Sequence, residues 1–385
     1  MEIYLDNSAT TKVDDNVIEL IEKVMREDYG NPSSKHMLGV NSEKYLREAR
    51  ERIAKTLKCS EKEILFTSGG TESNNMALIG TAMANKRAGM HIITTCFEHP
   101  SVEKAAEFLE EQGFEITRLK VDSFGHIDIE ELKSKLRPDT ILVSIMFVNN
   151  EIGAVQDISA IGKAVKANNP KTVFHVDSVQ AYGKYEINPA RMNIDLLSVS
   201  AHKIHGPKGI GFLYIKNGTK IKPLILGGGQ QKGMRSGTDN VPGAAGLGLA
   251  AENAYKDLAA GRDYLIGLKD TLTDGLTEMG VKVNSQKGEL SAPHIVSATF
   301  APVKSEVLLH ALEDKGIYVS AGSACSSNKK TAAASDTLIA IGLDKKQADC
   351  TLRFSFSKYN TEEDVRETLK ALQELLPVLS KFVSK

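Results

Sequence analysis

The chain has 385 residues, 48 of them Lys or Arg and 49 Asp or Glu; the formal net charge of −1 and the lack of a like-charge block argue against a nucleic-acid partner. With 41% hydrophobic and 25% charged residues, 31 Gly and no Trp, the composition is that of a soluble globular protein, long enough for a large domain and a smaller one. No apolar run approaches the roughly 18 residues of a membrane span, and the start Met1-Glu2-Ile3-Tyr4-Leu5-Asp6 has neither a basic segment nor an apolar one, so no membrane partner is expected and the location is read as cytoplasmic.

In chain order, residues 14–28 predict an amphipathic helix behind an Asp cap, with Val17, Ile18, Ile21, Val24 and Met25 on its apolar face. Short apolar runs follow at 63–67, 91–97, 141–148, 172–176, 194–199 and 210–215, most separated by stretches of helical periodicity. This predicts an α/β domain built on a largely parallel sheet. Several runs end in polar clusters: SGGTESNN at 68–75, EHPS at 98–101, NNEIG at 149–153, DSVQ at 177–180 and SAHKIHGPKG at 200–209. In open α/β sheets ligands bind beyond the carboxyl ends of the strands, so these clusters are expected to converge. The Gly-rich stretch at 227–240 reads as an ordered loop. From about residue 256 charged helical segments give way to strands near 294–300 and 351–356, and a final helix opens with the capping-box pattern Thr361-Glu362-Glu363-Asp364. Residues 14–255 are assigned to the large domain, and 1–13 with 256–385 to a smaller one.

The four cysteines, Cys59, Cys96, Cys325 and Cys350, show no C-x-x-C spacing, which argues against a zinc ribbon or a disulfide framework; no metal site is expected. Cys325 sits among small residues, Val319 to Ser327, where a thiol can be presented as a thiolate or simply be an inert loop thiol; Cys96, in an apolar run, reads as core packing. Lys203 follows an apolar strand. Taken singly it reads as an exposed loop lysine, but buried there it would be costly unless paired or used in a Schiff base. Asp177 ends the run VFHVD, where it either caps the next helix or holds a pyridine nitrogen protonated. Gly69-Gly70-Thr71 follows a strand and opens a helix, giving free N–H groups and a hydroxyl for a phosphate, without the G-x-G-x-x-G of a dinucleotide site. His99 closes another run, as a structural histidine or as a ring that stacks and shuttles protons. Arg353 is a charge inside an apolar strand and needs a carboxylate, from protein or substrate.

These stretches together resemble the cysteine desulfurases, relatives of the class V aminotransferases that use pyridoxal 5'-phosphate (PLP). The resemblance runs almost end to end through YLDNSATT (4–11), GNPSS (30–34), FTSGGTESNN (66–75), EHPSV (98–102), VNNEIG (148–153), HVDSVQ (175–180), SAHKIHGPKGIG (200–211), GMRSGT (233–238), GSAC (322–325) and LRFSF (352–356). GSAC narrows it to the longer-loop, iron–sulfur-cluster type, although the segment after Cys325 lacks the Glu-Pro-Ser common in housekeeping members. The resemblance implies fold type I of the PLP-dependent transferases, with a large mostly parallel sheet and a smaller α+β domain. It further implies Lys203 as the Schiff-base lysine, Asp177 at the pyridine nitrogen, Gln180 at the ring oxygen and His99 stacked on the ring. Gly70, Thr71, Ser200 and His202 would hold the phosphate, joined by Thr238 from the partner of a homodimer. Asn150 and Arg353 would bind the carboxylate of L-cysteine. Lys203 would remove the Cα proton, His99 would carry protons, and Cys325 would attack the sulfur of L-cysteine and hold it as a persulfide, leaving alanine, for a sulfur-acceptor protein such as an iron–sulfur scaffold. Transamination, selenocysteine lysis or a non-catalytic scaffold are the competing readings.

Overall fold

The structure, a computed structural model, describes residues 2–321 and 335–383. It opens with β1 (Ile3–Tyr4), α1 (Asp15–Arg26) and the long α2 (Met37–Leu57). The predicted face of α1 is only partly covered: Val17 and Val24 are buried, but Ile18 and Met25 are 48% and 63% exposed. Each exposed residue lies one position, about 100° of rotation, beyond a buried one, so a helix touching its neighbours along one narrow line leaves both outside. Asp14 stands at the N-cap position but its side chain does not cap the helix. Its carboxylate instead accepts hydrogen bonds from Lys358 Nζ (2.7 Å) and Tyr359 Oη (2.8 Å).

Strand and helix then alternate: β2 (Ile64–Thr67), α3 (Gly70–Asn75) continuing through a π-helical turn (Met76–Gly80) into α4 (Thr81–Asn85), β3 (His91–Thr95), α5 (Pro100–Glu111), β4 (Glu115–Leu119), α6 (Ile129–Lys135), β5 (Thr140–Met146), α7 (Ile158–Asn168), β6 (Val173–Asp177), β7 (Leu196–Ser200) and β8 (Gly211–Ile215). The seven strands form one sheet in the order β2-β8-β7-β6-β5-β3-β4. Only β8 runs against the rest. Every residue of β2, β3, β5, β6 and β7 is buried, which is why the sequence shows unbroken apolar runs there and not alternation. The edge strand β4, Glu-Ile-Thr-Arg-Leu, is not among the predicted runs, because it is buried only at Leu119.

The sheet also carries a polar staple. His175 on β6 is fully buried, with Nδ1 2.8 Å from Ser144 Oγ on β5 and Nε2 2.9 Å from Ser198 Oγ on β7. Two hydroxyls satisfy a neutral ring in an apolar layer, and burial lowers its pKa to about 3.

After α8 (Val241–Lys256), which packs on α1 and α2, the chain forms α9 (Leu258–Glu278), β9 (Lys282–Val283), β10 (Ile295–Thr299), α10 (Ser305–Glu313), β11 (Ile317–Tyr318), β12 (Ser320–Ala321), α11 (Asp336–Ala340), α12 (Lys345–Ala348), β13 (Thr351–Ser355) and α13 (Glu362–Val383). Here an antiparallel sheet, β12-β13-β10-β9, has its own core of Leu272, Val296, Leu352, Phe354 and Leu372. Ile3 and Leu5 belong to this core, because β1 pairs in parallel with β11. The capping box of α13 is present: Thr361 N donates to Asp364 Oδ2 (3.0 Å) and Asp364 N to Thr361 Oγ1 (3.2 Å). Among the described residues no helix is long and apolar enough to cross a membrane.

The unfolded chain protonates His175 near pH 6.5, whereas the native chain does so only near pH 3, so native stability falls as pH drops through that window. Wild type is expected to lose about 1.4 kcal/mol per pH unit relative to His175→Gln between these values, measured by urea unfolding at a series of pH values.

Candidate active site

The carboxyl ends of the central strands open into a cavity of about 450 Å³ whose far wall is the second sheet. Gly70, Thr71, His99, Asn150, Asp177, Gln180, Ser200, His202, Lys203 and Arg353 all line it, so ten of the residues singled out in the sequence come together in one place. A larger cleft of about 730 Å³ lies beyond the edge strand β2, near Arg50, Lys62 and Lys216, and contains none of them.

Asp177 ends β6, in register with Met146 and Ser198, and is buried. Its Oδ1 accepts from Val179 N (3.0 Å) and its Oδ2 from Asn74 Nδ2 (2.7 Å), which fixes the carboxylate at the cavity. Among the described residues no helix stands between β6 and β7, so Asp177 is not a helix cap; it closes a turn at Val179 N and lines the cavity.

Lys203 lies in a 3-10 turn (Ala201–Lys203) directly after β7. It is not an exposed loop lysine: Nζ donates to the carbonyls of Ser8 and of Ala9, the latter at 2.7 Å. Ser200, the last residue of β7, is buried, and His202 Nδ1 lies 3.2 Å from Thr10 Oγ1. Burial, with the neighbouring Lys203 and Lys208, lowers His202 to about 4, so it is neutral at physiological pH. Opposite, Gly69 turns the chain at φ +151° into α3, where Gly70 and Thr71 present the first helical amides. Gln180 is held by Nε2 donating to Ser8 O (2.9 Å).

His99 does not close a strand. β3 ends at Thr95, and His99 is the N-cap of α5, with Nδ1 accepting from Ser101 N (3.1 Å) and standing 2.8 Å from Ser101 Oγ. Ser101 Oγ in turn accepts from Asn74 Nδ2 (2.9 Å).

From the second sheet, Arg353 at the centre of β13 donates Nη1 to Asn150 O (2.8 Å) and Nη2 to Asp6 Oδ1 (2.7 Å), while its buried Nε has no partner. Asn150 therefore meets Arg353 through its main chain. Beside them Glu151 accepts from Ser335 Oγ, and burial raises its pKa.

Two predicted residues stand apart. Thr238 is exposed and does not line the cavity; its loop is tied to α3 by Arg235 Nε donating to Glu72 Oε1 (3.0 Å). Cys325 lies outside the described residues, but Ser320 and Ala321 line the cavity before it, and Ser335 contacts the cavity residue Glu151 after it. Sequence reasoning missed Asp6, Ser8, Ala9, Asn74 and Ser101, which hold the reactive groups. All lie inside conspicuous motifs, but their role is visible only through partners far away in the chain. Among the described residues no three His, Cys, Asp or Glu side chains are grouped to hold a metal.

A family model described as aminotransferase class-V matches residues 3–368, and the chain belongs to that family. Within it the chain is similar to the cysteine desulfurase IscS of Methanosarcina thermophila, 44% identical over 378 residues covering 98% of this chain and 92% of that protein. Among solved structures it is similar to a NifS-like protein, with a TM-score of 0.93 and 40% identity over 98% of this chain and 100% of that one. A structure titled SspA in complex with cysteine gives a TM-score of 0.80 at 34% identity, over 93% and 100% of the two chains. The fold is type I of the PLP-dependent transferases, with a large, mostly parallel sheet.

The cradle beside Ser200 depends on close backbone approach. A Cβ on Gly211, the first residue of β8, would meet the Val199 carbonyl and stand 2.7 Å from Gly69 Cα. Gly211→Ala is expected to cost about 1–3 kcal/mol, read by urea unfolding, as backbone on both sides is forced to move.

Proposed function

We propose that this chain is a PLP-dependent cysteine desulfurase that converts L-cysteine to L-alanine and leaves the sulfur as a persulfide on Cys325. The observation that carries this reading is the meeting of the Lys203 amine, the Asp177 carboxylate and the Arg353 guanidinium around one cavity at which the chain flanking Cys325 begins and ends.

The donor set fits PLP. The cofactor needs an amine for an imine bond, a carboxylate for its ring nitrogen and several donors for its phosphate, and the cavity wall carries one group for each. Lys203 would bind it covalently, Asp177 would hold the ring nitrogen protonated, and Gln180 would donate to the ring oxygen. His99 would lie against the ring. The first amides of α3 at Gly70 and Thr71, with Ser200 and His202, would take the phosphate. Thr238, exposed and outside its own cavity, would complete the phosphate site of a second copy in a homodimer; Leu226 on the same segment, 78% exposed, favours such a contact. Bound PLP supplies an electron sink for the pair released when the substrate Cα–H bond breaks.

This chain's own groups do the rest. Arg353, anchored by one hydrogen of each Nη on Asn150 O and Asp6, keeps further guanidinium N–H donors for the substrate carboxylate. Lys203, once displaced by the substrate amine, takes the Cα proton at Nζ. The Cys325 thiolate attacks the substrate sulfur: an S–S bond forms, the Cβ–S bond breaks, and proton return completes alanine. Cys325 follows Ala321 by four positions, a chain span of at most about 14 Å from the cavity wall, which supports this assignment. A sulfur-acceptor protein, such as an iron–sulfur scaffold, would then take the persulfide sulfur. Neither a nucleic acid nor a membrane has a part in this scheme, and a cytoplasmic location suits the free thiol.

With PLP supplied, purified protein is expected to be yellow and to form alanine from L-cysteine with a persulfide mapped to Cys325 by mass spectrometry. Cys325→Ser should keep the colour and lose sulfide release, and Lys203→Ala should lose borohydride-fixable cofactor; undiminished sulfide release by Cys325→Ser would remove the desulfurase reading. Arg353→Lys is expected to raise KM for L-cysteine about tenfold or more with a smaller change in kcat, since a compact ammonium lacks the planar fork that reaches Asn150 O, Asp6 and a carboxylate from separate nitrogens.

A further inference from the structure

The hydrogen bonds behind His99 favour one direction. The Asp177 carboxylate only accepts, so the Asn74 side chain must turn its NH₂ toward it. The second hydrogen of that NH₂ goes to Ser101 Oγ, which therefore accepts and has its own hydrogen left for His99 Nδ1, 2.8 Å away. The same Nδ1 receives the Ser101 main-chain N–H. Pro100 at the first helical position has no N–H, so the amide of Ser101 is the first that α5 can offer its cap. Two donors thus point at one nitrogen, and a proton there would break the main-chain N–H bond and force the Ser101 hydroxyl to turn its own hydrogen away.

We propose that Ser101, oriented by Asn74, is a positioning residue that locks His99 as a neutral imidazole with its proton on Nε2, so that His99 acts in the cavity as a neutral hydrogen-bond donor. This deepens the reading of His99 given above and rests on it. The surroundings agree. His99 caps the N-terminus of a 12-residue helix, where the field disfavours a cation. Burial also holds its pKa below the usual histidine range, with Lys203 acting in the same direction and Asp177 against it. Asp177 from β6 and Lys203 from the turn after β7 are the charged groups facing it; Glu98, pushed up to about 8 by burial, is mostly uncharged near neutral pH. A neutral donor at Nε2 can stabilise negative charge developing on the substrate without bringing a positive charge beside Lys203.

The test is ¹⁵N-histidine NMR of the full-length, PLP-loaded protein, with His99 identified by the signals missing in His99→Gln. Wild type is expected to show a bare Nδ1 and a protonated Nε2 between about pH 8 and pH 6. In Ser101→Ala one of the two Nδ1 donors is gone, so Nδ1 should begin to protonate within that range. The acid limb of kcat should move to higher pH and kcat should fall roughly tenfold, less than the 10²–10⁴ of a lost acid–base group. Ser101→Thr, which keeps the hydroxyl, should restore both. A protonated Nδ1 in wild type at neutral pH, or a Ser101→Ala protein that matches wild type in tautomer and pH profile, would overturn the proposal. The NMR pattern is read without substrate, so failure of L-cysteine to label Cys325 would remove the desulfurase reading while the lock is judged on its own signals.

Discussion

Lys203 follows a strand of the large sheet and Arg353 lies in the small one, and both are anchored on one short segment, residues 6–9. Lys203 Nζ is held by the carbonyls of Ser8 and Ala9, and Arg353 Nη2 by the carboxylate of Asp6. This segment is itself pinned on both sides. Ser8 N donates to Ser355 Oγ (2.8 Å) and Ser355 N to Leu5 O (2.7 Å) on the β13 side, while Thr11 N donates to His202 O (2.9 Å) on the β7 side. Two cations that would repel if free are thereby set at fixed places on opposite walls of one cavity.

The same economy governs the other polar groups. Each reactive side chain reaches the cavity because a second group has taken over the atoms that face away from it: Asn74 and Val179 hold Asp177, Ser101 holds His99, and Asn150 and Asp6 hold Arg353. Burial makes such arrangements sensitive, since a polar group withdrawn from water costs free energy unless its bonds are made. The unpartnered atoms are correspondingly informative. Ser8 Oγ and Arg353 Nε are buried without partners, and both residues line the cavity.

Histidine has three different uses within this one layer. His175 is a structural staple satisfied by two serines across the sheet, and His202 is neutral beside Lys203. His99 caps α5 through Nδ1 and also lines the cavity, so a structural bond is made by the same ring that the proposal above assigns a chemical role.

From the sequence alone came the alternation of strands and helices, the large parallel sheet, and the clustering of polar residues after strand ends. These follow from local periodicity and from the rule that buried parallel strands are apolar throughout. It also singled out Gly70, Thr71, His99, Asp177, Lys203 and Arg353, because polar and glycine-rich motifs interrupt those apolar runs, whereas Asn150, Gln180, Ser200 and His202 were added by the resemblance to the cysteine desulfurases. The edge strand β4 escaped notice since most of it is not buried, and Ile18, Met25 and Asp14 were misjudged because the width of a helix contact and the choice of hydrogen-bond partner depend on neighbours. The tertiary structure alone decided that the carbonyls of residues 8 and 9 would serve a lysine almost two hundred positions later, that Asn74 would join Asp177 to His99, and that Thr238 would stand outside its own cavity. Periodicity reports which side of an element is covered, whereas a binding geometry is fixed by which elements are brought together, and that is settled only when the whole chain has packed.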